Sequence, residues 1–531
     1  MGQTRTGQAG RLEEATEICK LRLFLKLVAQ VDPDPSKPGA VEPLPDIDFN
    51  IRAGNTLVGY TTIDEIRRSH QARYPGFPLT EVQKLEVQAQ SMAKLYSLFC
   101  RLQTNGSKGE TTPEELANAK NSLRREQQRL ADELNRYLAG DYGVDAHNVK
   151  KAKDFEKWRG SHQPFHWFIE FYGIMQSGGF DAVIGNPPYL DLRDLTTYTP
   201  RGFSTIATRN LYPIVLEKCQ SITAENGRQG YIVPVSSVAT EGYLSFQRVL
   251  TQRNLFASSY DDRPSHLFDG LDKNTLSILL LGKKPIGPRD PVYSTRLARW
   301  NAEERETLFA LVRYSIANEQ RLPGCLPKIG NPIEASIWRK LFERSRPLSV
   351  SYSAAEENVV YYSRKVNAFM QVLDFVPQVR DGKGKLRPPS EFKTLLFDSK
   401  AEAAAVCCLF NSTLFRWFMD VVSDGSHLNR REVDNFPFDP KATRTECPQL
   451  VPLAKRLSRQ FQETSEQRVM RYKHDTLTVQ CIIPRHAKSI IDEIDQSLGN
   501  YYGFTDDETD FIINYDIKYR IGQDGEDDGE E

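Results

Sequence analysis

The sequence predicts a mixed α/β fold, and three stretches of different character carry that prediction. Between residues 180 and 281, short apolar runs alternate with helical patterns, which is the order of elements in an open α/β sheet. Residues 62–160 are charged, rich in glutamine and helical in pattern, whereas residues 285–440 mix short strands with helices. A chain of 531 residues is long enough for roughly two to four domains.

Composition limits the class of protein but not its partner. Lys and Arg number 69 against 70 Asp and Glu, so only the position of local patches can indicate a nucleic-acid partner. The eight cysteines show no CxxC pair, which argues against a zinc site or a disulfide framework and for a reducing compartment. Because no apolar run approaches the length of a membrane span, we expect a cytoplasmic chain without a membrane partner.

The first sixty residues predict a helix, a loop and a strand. Residues 13–29 place apolar side chains at helical spacing, as in an amphipathic helix: Ile18, Leu21, Phe24, Leu25 and Val28. Four prolines between residues 33 and 43 indicate a loop, and residues 47–60 are interpreted as a strand that ends in a Gly-Asn turn.

A helical hairpin is predicted within residues 62–160. Four side chains recur every seven residues there, as in packed helices: Leu116, Leu123, Leu130 and Tyr137. Thr112, Pro113 and Glu115 form a helix-start signal of the capping-box type. An inserted structural arm is a better interpretation of this region than direct chemistry.

After residue 180 the elements alternate between strand and helix. The predicted order is a buried strand, a helix, a glycine-rich loop, a strand, a helix and a strand, at residues 182–184, 211–222, 225–230, 231–235, 243–252 and 276–281. Further on we expect a strand at residues 359–362, a basic glycine loop at Arg380–Arg387, a helix at 403–419, helices over 448–520 and a disordered acidic tail.

One tetrapeptide carries chemistry: Asn186, Pro187, Pro188 and Tyr189. It follows the strand 182–184, at the sheet edge where α/β proteins bind ligands. An exocyclic aromatic amine is a poor nucleophile because its lone pair is conjugated into the ring. The Asn186 side-chain oxygen and the Pro187 carbonyl can accept hydrogen bonds from both amine hydrogens, while the prolines hold these acceptors in place. Tyr189 offers a flat face on which an extruded base can stack.

A simple turn with a packing tyrosine is the alternative interpretation of this tetrapeptide. The context FDAVIGNPPY, an apolar strand that leads directly into the motif, favours the chemical interpretation.

Four stretches of the chain carry a specific resemblance. They are EEATEICKLRLFLKLVAQ from Glu13, FHWFIEF at residues 165–171, GGFDAVIGNPPY at residues 178–189, and YGFT with FIINYDIKYR between residues 502 and 520. In these stretches the chain resembles the Eco57I/type IIG group of DNA adenine-N6 methyltransferases, which also includes phage-defence methylases. The resemblance extends from Glu13 to Arg520.

The resemblance implies a Rossmann-like methyltransferase core, S-adenosylmethionine as methyl donor, double-stranded DNA as partner and a C-terminal target-recognition region. Asn186, Pro187, Pro188 and Tyr189 take the catalytic positions. Asn55 and Thr56 match the turn that contacts the cofactor adenine, and Phe268 matches an aromatic residue that stacks, with Tyr189, on the flipped base.

We divide the chain accordingly into six regions. They are a partial methyltransferase core (1–61), a helical insertion (62–160), the catalytic core (161–284), an α+β target-recognition domain (285–440), a C-terminal helical region (441–520) and an acidic tail (521–531).

The chain departs from the group at its start. Members of the group open with a strand and a glycine-rich turn that holds the cofactor, followed by a carboxylate that binds the ribose. Residues 1–10 offer neither, and the carboxylate position falls on Gly10. We therefore expect a core that is incomplete at its N-terminus and binds cofactor poorly alone. A separate chain that supplies the cofactor motif, or a nuclease, is an expected partner.

Other polar residues leave open alternatives. The basic glycine loop allows two interpretations, and its charge pattern favours them equally. Its cations can neutralise DNA phosphates, or they can belong to a solvated surface hairpin; they are Arg380, Lys383, Lys385 and Arg387. His162 and His166 are interpreted as core histidines, and no metal site is predicted. The chain is thus either an adenine methyltransferase completed by its cofactor segment or a DNA-binding specificity subunit with a vestigial site. Methylation of RNA or of a protein amine fits less well.

Overall fold

The computed structural model describes residues 7–30, 49–73, 80–106, 111–146, 152–268, 270, 274–284, 291–317, 321–355, 357–389, 392–425, 427–471 and 475–521. The proline-rich stretch 33–43 and the acidic tail from residue 522 lie outside these residues. Contacts divide the chain into two units, Met1–Gln229 and Gly230–Glu531. The prediction of a mixed α/β fold is confirmed.

Unit 1 is mainly helical. Its helices are α1 (Gly7–Val28), α2 (Ile63–Arg73), α3 (Thr80–Gly106), α4 (Pro113–Ala139), α5 (Ala152–His162), α6 (Trp167–Glu170), α7 (Tyr172–Gln176) and α8 (Leu211–Ile222). Strand β1 (Phe180–Gly185) lies beside β2 (Thr223–Pro234), which begins in this unit.

The predicted helical hairpin is confirmed as the pair α3 and α4. Leu123 and Leu130 of α4 are fully buried in the core of unit 1, and Leu116 and Tyr137 pack against it. The capping box is present, since Thr112 and Glu115 bond each other's backbone N–H groups. The heptad spacing therefore identified the buried face of α4 correctly.

Two apolar elements of unit 1 are exposed, which contradicts the prediction of a buried strand at residues 182–184. In β1, Ala182 is exposed and Ile184 keeps 86% of its surface accessible. The predicted helix at residues 13–29 is confirmed as α1, but its apolar side chains, including Leu21 and Phe24, are exposed as well. β1 is the last strand in the order of its sheet, so a strand covers it on one side only within the described residues.

Unit 2 contains the remaining elements. Its helices are α9 (Ser236–Ala239), α10 (Leu244–Leu250), α11 (Pro332–Arg344), α12 (Lys400–Asn411), α13 (Thr413–Val422), α14 (Arg430–Asn435), α15 (Thr443–Glu446), α16 (Leu450–Glu463), α17 (Lys488–Tyr502), α18 (Asp506–Ile513) and α19 (Ile517–Ile521). Its strands are β3 (Leu255–Tyr260), β4 (Leu276–Leu281), β5 (Tyr293–Ala298), β6 (Ser315–Ile316), β7 (Asn358–Ser363), β8 (Val372–Leu373), β9 (Val379–Arg380), β10 (Leu386–Arg387), β11 (Phe392–Phe397), β12 (Glu466–Arg471) and β13 (Thr476–Cys481).

Unit 2 holds three sheets. One has the order β2-β4-β3-β5-β6, in which β3 runs antiparallel to β4 and parallel to β5. A second has the order β11-β7-β8, and the third β10-β9-β13-β12. The β12–β13 hairpin corrects the prediction that residues 441–520 are helical, because its alternating residues follow the period of a strand.

The core of unit 2 surrounds α12 and α13. All ten residues of α13 are buried, among them Phe415, Trp417 and Phe418. The single helix predicted at 403–419 is wrong, since the chain breaks at Ser412, whose hydroxyl accepts the N–H of Phe415 and so starts a new helix. Among the described residues no single helix qualifies as a membrane span by length and hydropathy, although α12 and α13 pass together as a pair bent by 63°.

Two further predictions near the site are wrong. Of the strand predicted at residues 47–60, the described part, from residue 49, is a series of turns with one isolated bridge from Asn55 to Pro164. The glycine-rich stretch 225–230 is part of β2 instead of a loop. At Gly227 a Cβ would lie 2.8 Å from the carbonyl oxygen of Phe180, so glycine here permits close strand contact.

Candidate functional site

Residues 54–59 form a tight turn whose two glycines are required by Phe165. A Cβ on Gly59, whose φ is +145°, would lie 1.9 Å from the Phe165 carbonyl oxygen. A Cβ on Gly54 would lie 2.5 Å from the ring of Phe165. The Phe165 N–H donates to the carbonyl of Val58 at 2.7 Å. Sequence and packing together therefore fix this turn against the segment that begins at Phe165.

The two predicted cofactor contacts, Asn55 and Thr56, lie within this turn. The N–H of Asn55 donates to the Gln163 carbonyl at 2.9 Å, and its side-chain oxygen accepts the N–H of Leu57 at 3.1 Å. This second bond is the side-chain turn that asparagine favours. The hydroxyl of Thr56 accepts a hydrogen bond from Trp167 Nε1 at 3.3 Å. Both side chains thus hold the turn, and their role toward a cofactor stays a prediction.

An aromatic cluster connects this turn to the start of β1. Its members are Phe165, Trp167, Phe171 and Phe180. The rings of Trp167 and Phe171 stack at 5.5 Å, and Phe171 meets Phe180, the first residue of β1, edge to face at 5.3 Å. The FHWFIEF segment therefore sets the position of the strand that leads into the tetrapeptide.

The tetrapeptide 186–189 leaves the end of β1 with alternating exposure. Pro187 is buried, whereas Asn186 and Pro188 are exposed and Tyr189 is half-buried. Among the described residues the Asn186 side chain has no hydrogen-bond partner. The buried Pro187 restricts the backbone next to Asn186. The exposed amide of Asn186 is therefore a positioned hydrogen-bond acceptor that a substrate can reach.

Tyr189 is oriented by a neighbouring ring. Its ring centroid lies 6.0 Å from that of Tyr212, in an edge-to-face arrangement. Burial raises the pKa of Tyr189 to about 12, so the phenol stays protonated and neutral near pH 7. A neutral ring held at its edge is suited to stacking and unsuited to acting as a general base.

A small apolar cluster brings the turn and the tetrapeptide together. Leu57, Leu211 and Ile214 are its buried members, and Leu190, which follows Tyr189, packs against them. The Leu190 carbonyl also accepts the N–H of Leu211 at 2.9 Å, at the first residue of α8. Asn55, Thr56 and residues 186–189 are therefore neighbours in unit 1, although about 130 positions separate them in the sequence.

Two residues that contact this turn were missed in the sequence. Lys218 of α8 is buried and donates through Nζ to the Gly59 carbonyl at 3.1 Å, with Glu65 at 3.5 Å. Burial lowers the pKa of Lys218 and Glu65 opposes this shift. Burial raises the pKa of Tyr198, and the nearby Asn55 side chain opposes this shift. Lys218 lies seven residues after Leu211 on the apolar face of α8, and a lone lysine on such a face indicates a buried cation.

The two histidines have structural partners. His166 is buried, and its Nδ1 accepts the N–H of Tyr60 at 3.2 Å while its Nε2 lies 3.1 Å from the Asn135 side-chain oxygen. Burial lowers the pKa of His166 to about 3, so the ring is neutral. His162 packs against Trp158 and Tyr142. In the described ranges no three His, Cys, Asp or Glu side chains could hold a metal ion.

Phe268 lies in unit 2, in the loop after β3. Its side chain is 39% exposed, and the preceding Leu267 is buried. Arg305 donates to the carbonyls of His266 at 3.1 Å and Leu267 at 2.7 Å, which fixes the backbone just before Phe268. An exposed aromatic ring next to a fixed backbone segment is compatible with base stacking, and that role stays a prediction.

The four predicted DNA contacts lie on the β9–β10 hairpin. Lys383 and Lys385 stand exposed at its tip, whereas Arg387 pairs with Asp381 at 3.2 Å and with Asp475 at 2.8 Å. Arg380 donates to the carbonyl of Gly384 at 3.2 Å. The two lysines are therefore better placed than Arg387 to meet phosphates.

Comparison with known proteins identifies relatives of one kind. Residues 11–268, slightly less than half of the chain, match the family described as Eco57I restriction-modification methylase. A candidate type II restriction enzyme and methyltransferase of Methanocaldococcus jannaschii is 28% identical over 320 residues, which cover 52% of this chain and 26% of that protein. The match thus spans about a quarter of the relative's length.

Solved structures share little with the chain. The DrdV–DNA complex covers 71% of this chain and 57% of its own, with 11% identity and a TM-score of 0.31. LlaBIII, an ATP-dependent type ISP restriction-modification enzyme bound to DNA, covers 67% and 37%, with 11% identity and a TM-score of 0.26. The likeness therefore rests on the two sequence matches: residues 11–268 are similar to the Eco57I restriction-modification methylases, in agreement with the resemblance seen in FDAVIGNPPY.

Proposed function

We propose that this chain carries the methyl-acceptor site of a DNA adenine-N6 methyltransferase that uses S-adenosylmethionine, within a restriction-modification or phage-defence system. The observation that carries the proposal is the exposed Asn186 on the buried Pro187 at the end of β1, beside the turn 54–59. In this proposal residues 1–61 and 161–284 form a Rossmann-like core, 62–160 an insertion, and 285–440 the target-recognition domain.

The chain's own residues act on the amine of an extruded adenine. Asn186 Oδ1 and the Pro187 carbonyl accept hydrogen bonds from its two N–H groups, which directs the nitrogen lone pair out of conjugation toward the methyl donor. When bound, S-adenosylmethionine supplies an electrophilic methyl group. The neutral Tyr189 stacks on the base, and Phe268 is the second stacking residue.

The described residues fit one part of a cofactor site. The turn that contains Asn55 and Thr56 is held rigidly beside the tetrapeptide, as a contact for the cofactor adenine requires. The uncovered side of β1 supports a further step, because an apolar edge strand with free backbone groups pairs readily with another strand. We propose that a segment with the glycine-rich cofactor turn pairs there, in the same protein or in a partner chain.

The proposal is tested by methyl transfer to DNA. Purified chain, alone and with the product of the adjacent gene, is incubated with plasmid DNA and labelled S-adenosylmethionine, and N6-methyladenine is measured by mass spectrometry. We expect Asn186→Ala to lower the rate by about 10²–10³, the effect of losing one positioned hydrogen-bond partner of the reacting group. Asn118→Ala, at an exposed position of α4, serves as the matched control. Equal rates for both variants would contradict the proposal.

A second candidate function is a DNA-binding specificity subunit with a vestigial methylation site. The exposed Lys383 and Lys385 support it, because they require only a nucleic-acid partner. Calorimetric titration with S-adenosylmethionine separates the two candidates. Binding that requires the partner favours the split methyltransferase, whereas DNA binding without cofactor binding under either condition favours the specificity subunit.

A further inference from the structure

The β12–β13 hairpin extends the basic β9–β10 hairpin into one antiparallel sheet. Val379 and Arg380 of β9 pair with Val479 and Thr478 of β13. The N–H of Gln480 donates to the Gln378 carbonyl at 2.9 Å, and the Gln480 side-chain oxygen accepts the N–H of Gln378 at 3.1 Å. Segments about 100 positions apart in the sequence therefore form a single surface.

Among the described residues, the four strands of this sheet lie outside the large hydrophobic cluster of unit 2, and the buried Val379 of β9 is on the face opposite Arg380. Two apolar side chains lie open on the sheet, Val469 at 61% exposure and Leu386 at 57%. A sheet whose side chains are accessible on the surface is suited to meet a partner with one face.

The register places one set of side chains on a common face. Leu386, Arg380, Thr478 and Val469 lie directly opposite one another across the four strands. Arg471 pairs with Thr476, two positions from Thr478, and so lies on the same face. The face thus combines cations, a hydroxyl and branched apolar groups, which are the groups that contact phosphates, base edges and thymine methyls.

The charge of the sheet is unbalanced in favour of cations. Within the described ranges Arg380, Lys383, Lys385 and Arg471 form no ion pair. Its acidic residues are engaged: Glu466 pairs with Arg468, and Asp475 pairs with Arg387.

Asp381 orders the cationic tip. Its buried carboxylate accepts the backbone N–H groups of Lys385 at 2.9 Å and Lys383 at 3.0 Å, and pairs with Arg387. The pKa of Asp381 is lowered, first by the Lys385 backbone bond, so the group is ionised at neutral pH. Gly384 supplies the left-handed conformation, with φ +80°, that closes the turn. The turn therefore holds both ammonium groups outward while its own acid faces inward.

We propose that this sheet face binds duplex DNA, with Lys383, Lys385 and Arg471 on phosphates and the β12–β13 ribbon, through Thr478 and Val469, toward base edges. A two-stranded ribbon has the width that the major groove admits. The inference rests on the proposed function, because it assigns a reading surface to that DNA substrate. It adds β12 and β13 to the surface, where the sequence indicated only the Arg380–Arg387 stretch.

The salt dependence of DNA binding tests the phosphate contacts. Binding of the full chain to a fluorescent 30-bp duplex is measured by anisotropy between about 50 and 300 mM salt, without S-adenosylmethionine. Each lost phosphate contact lowers the slope of log Kd against log salt by about 0.9, so Lys383→Ala/Lys385→Ala is expected to lower it by about 1.8 and weaken binding at least tenfold. The control is Lys455→Ala/Arg459→Ala, which removes two exposed cations from α16.

The ribbon is tested with Val469→Glu, which places an anion in the middle of the exposed face and disturbs no core packing. We expect a further tenfold loss of duplex binding with unchanged circular dichroism. Four results would each overturn the inference. Two concern the variants: a wild-type salt slope in both, or a loss of binding in the control equal to theirs. The other two concern the unmodified chain: equal binding of duplex RNA, or no binding of DNA. Methylation is measured separately, so DNA binding that depends on this face without methyl transfer would sink only the proposed function.

Discussion

Strand β1 and helix α13 are both apolar in sequence, yet side chains of β1 are exposed in the structure whereas those of α13 are buried. In α13 every residue is buried, including the large rings of Trp417 and Phe418. In β1, Ala182 and Ile184 face solvent, and the strand has a neighbour on one side only among the described residues. α13 is surrounded by α12, α17 and α18 of its own unit, whereas β1 has β2 as its one neighbouring strand among the described residues.

The difference shows that an apolar sequence indicates how much apolar surface a segment must bury. It does not indicate which partner buries that surface. For α13 the partner is the unit itself, and the burial stabilises unit 2 directly. For β1 the gain is available only when another element packs on its exposed face, so we expect the same kind of sequence to serve assembly instead of stability. Each element can be altered to test this assignment.

The largest effect is expected on the buried side. Phe418→Ala removes a fully buried ring that stacks near Trp338 and Phe415, and we expect the free energy of unfolding of unit 2 to fall by about 3–5 kcal/mol. Urea unfolding, followed by hydrogen exchange of the amides in α12 and α13, measures the change. Phe309→Ala, an exposed position in the same unit, should cost about 1 kcal/mol or less. Similar losses in both variants would contradict the comparison.

A smaller effect concerns the pH dependence of the same core. Asp495 of α17 is buried, and its carboxylate accepts the N–H groups of Thr413 and Leu414 at the start of α13, each at 3.1 Å. Burial raises its pKa to about 6, above an unfolded value of about 3.9. The folded state therefore binds this proton more readily, and its contribution to stability increases as pH falls from about 6 to about 4.

The contribution of Asp495 is measured as a difference between two chains. Other buried carboxylates act in the opposite direction, because Asp420 has a lowered pKa in its ion pairs with Arg299 and Arg416. Unfolding free energies of the wild type and Asp495→Asn are compared from pH 4 to pH 7. We expect the wild type to gain on the order of 2 kcal/mol relative to the variant over this range as pH is lowered. Parallel curves would show that Asp495 titrates normally.

The sequence predicted local features well and long-range pairing poorly. The heptad of α4, its capping box at Thr112 and the span of α8 follow from neighbouring residues, so they could be derived. The sheet of β9, β10, β12 and β13 could not be derived, because its pairing depends on the register of segments about 100 positions apart. The break at Ser412 was hidden by the apolar residues on both sides.

The candidate site shows the same limit. The residues 186–189 and the turn at Asn55 were found from their sequence motifs, but not the apolar cluster through Leu57 that joins them. Lys218 and Tyr198 were missed, because their contacts with the turn arise from α8 and a loop far along the chain. A motif therefore predicts which residues matter, and only the packing shows what holds them.

The smallest effect on stability is expected at β1, where it is also the most informative. Ile184→Thr keeps a branched side chain of strand type at an 86%-exposed position, so the free energy of unfolding should change by less than about 0.5 kcal/mol. If another segment packs on this side chain in the assembled enzyme, the same change should weaken cofactor-dependent methyl transfer, because an apolar contact is lost only in the assembly. Val350→Thr, also exposed, is the control and should change neither quantity. A loss of stability in Ile184→Thr would mean that β1 already packs within the chain, whereas unchanged stability and unchanged methylation would mean that its exposed face has no partner.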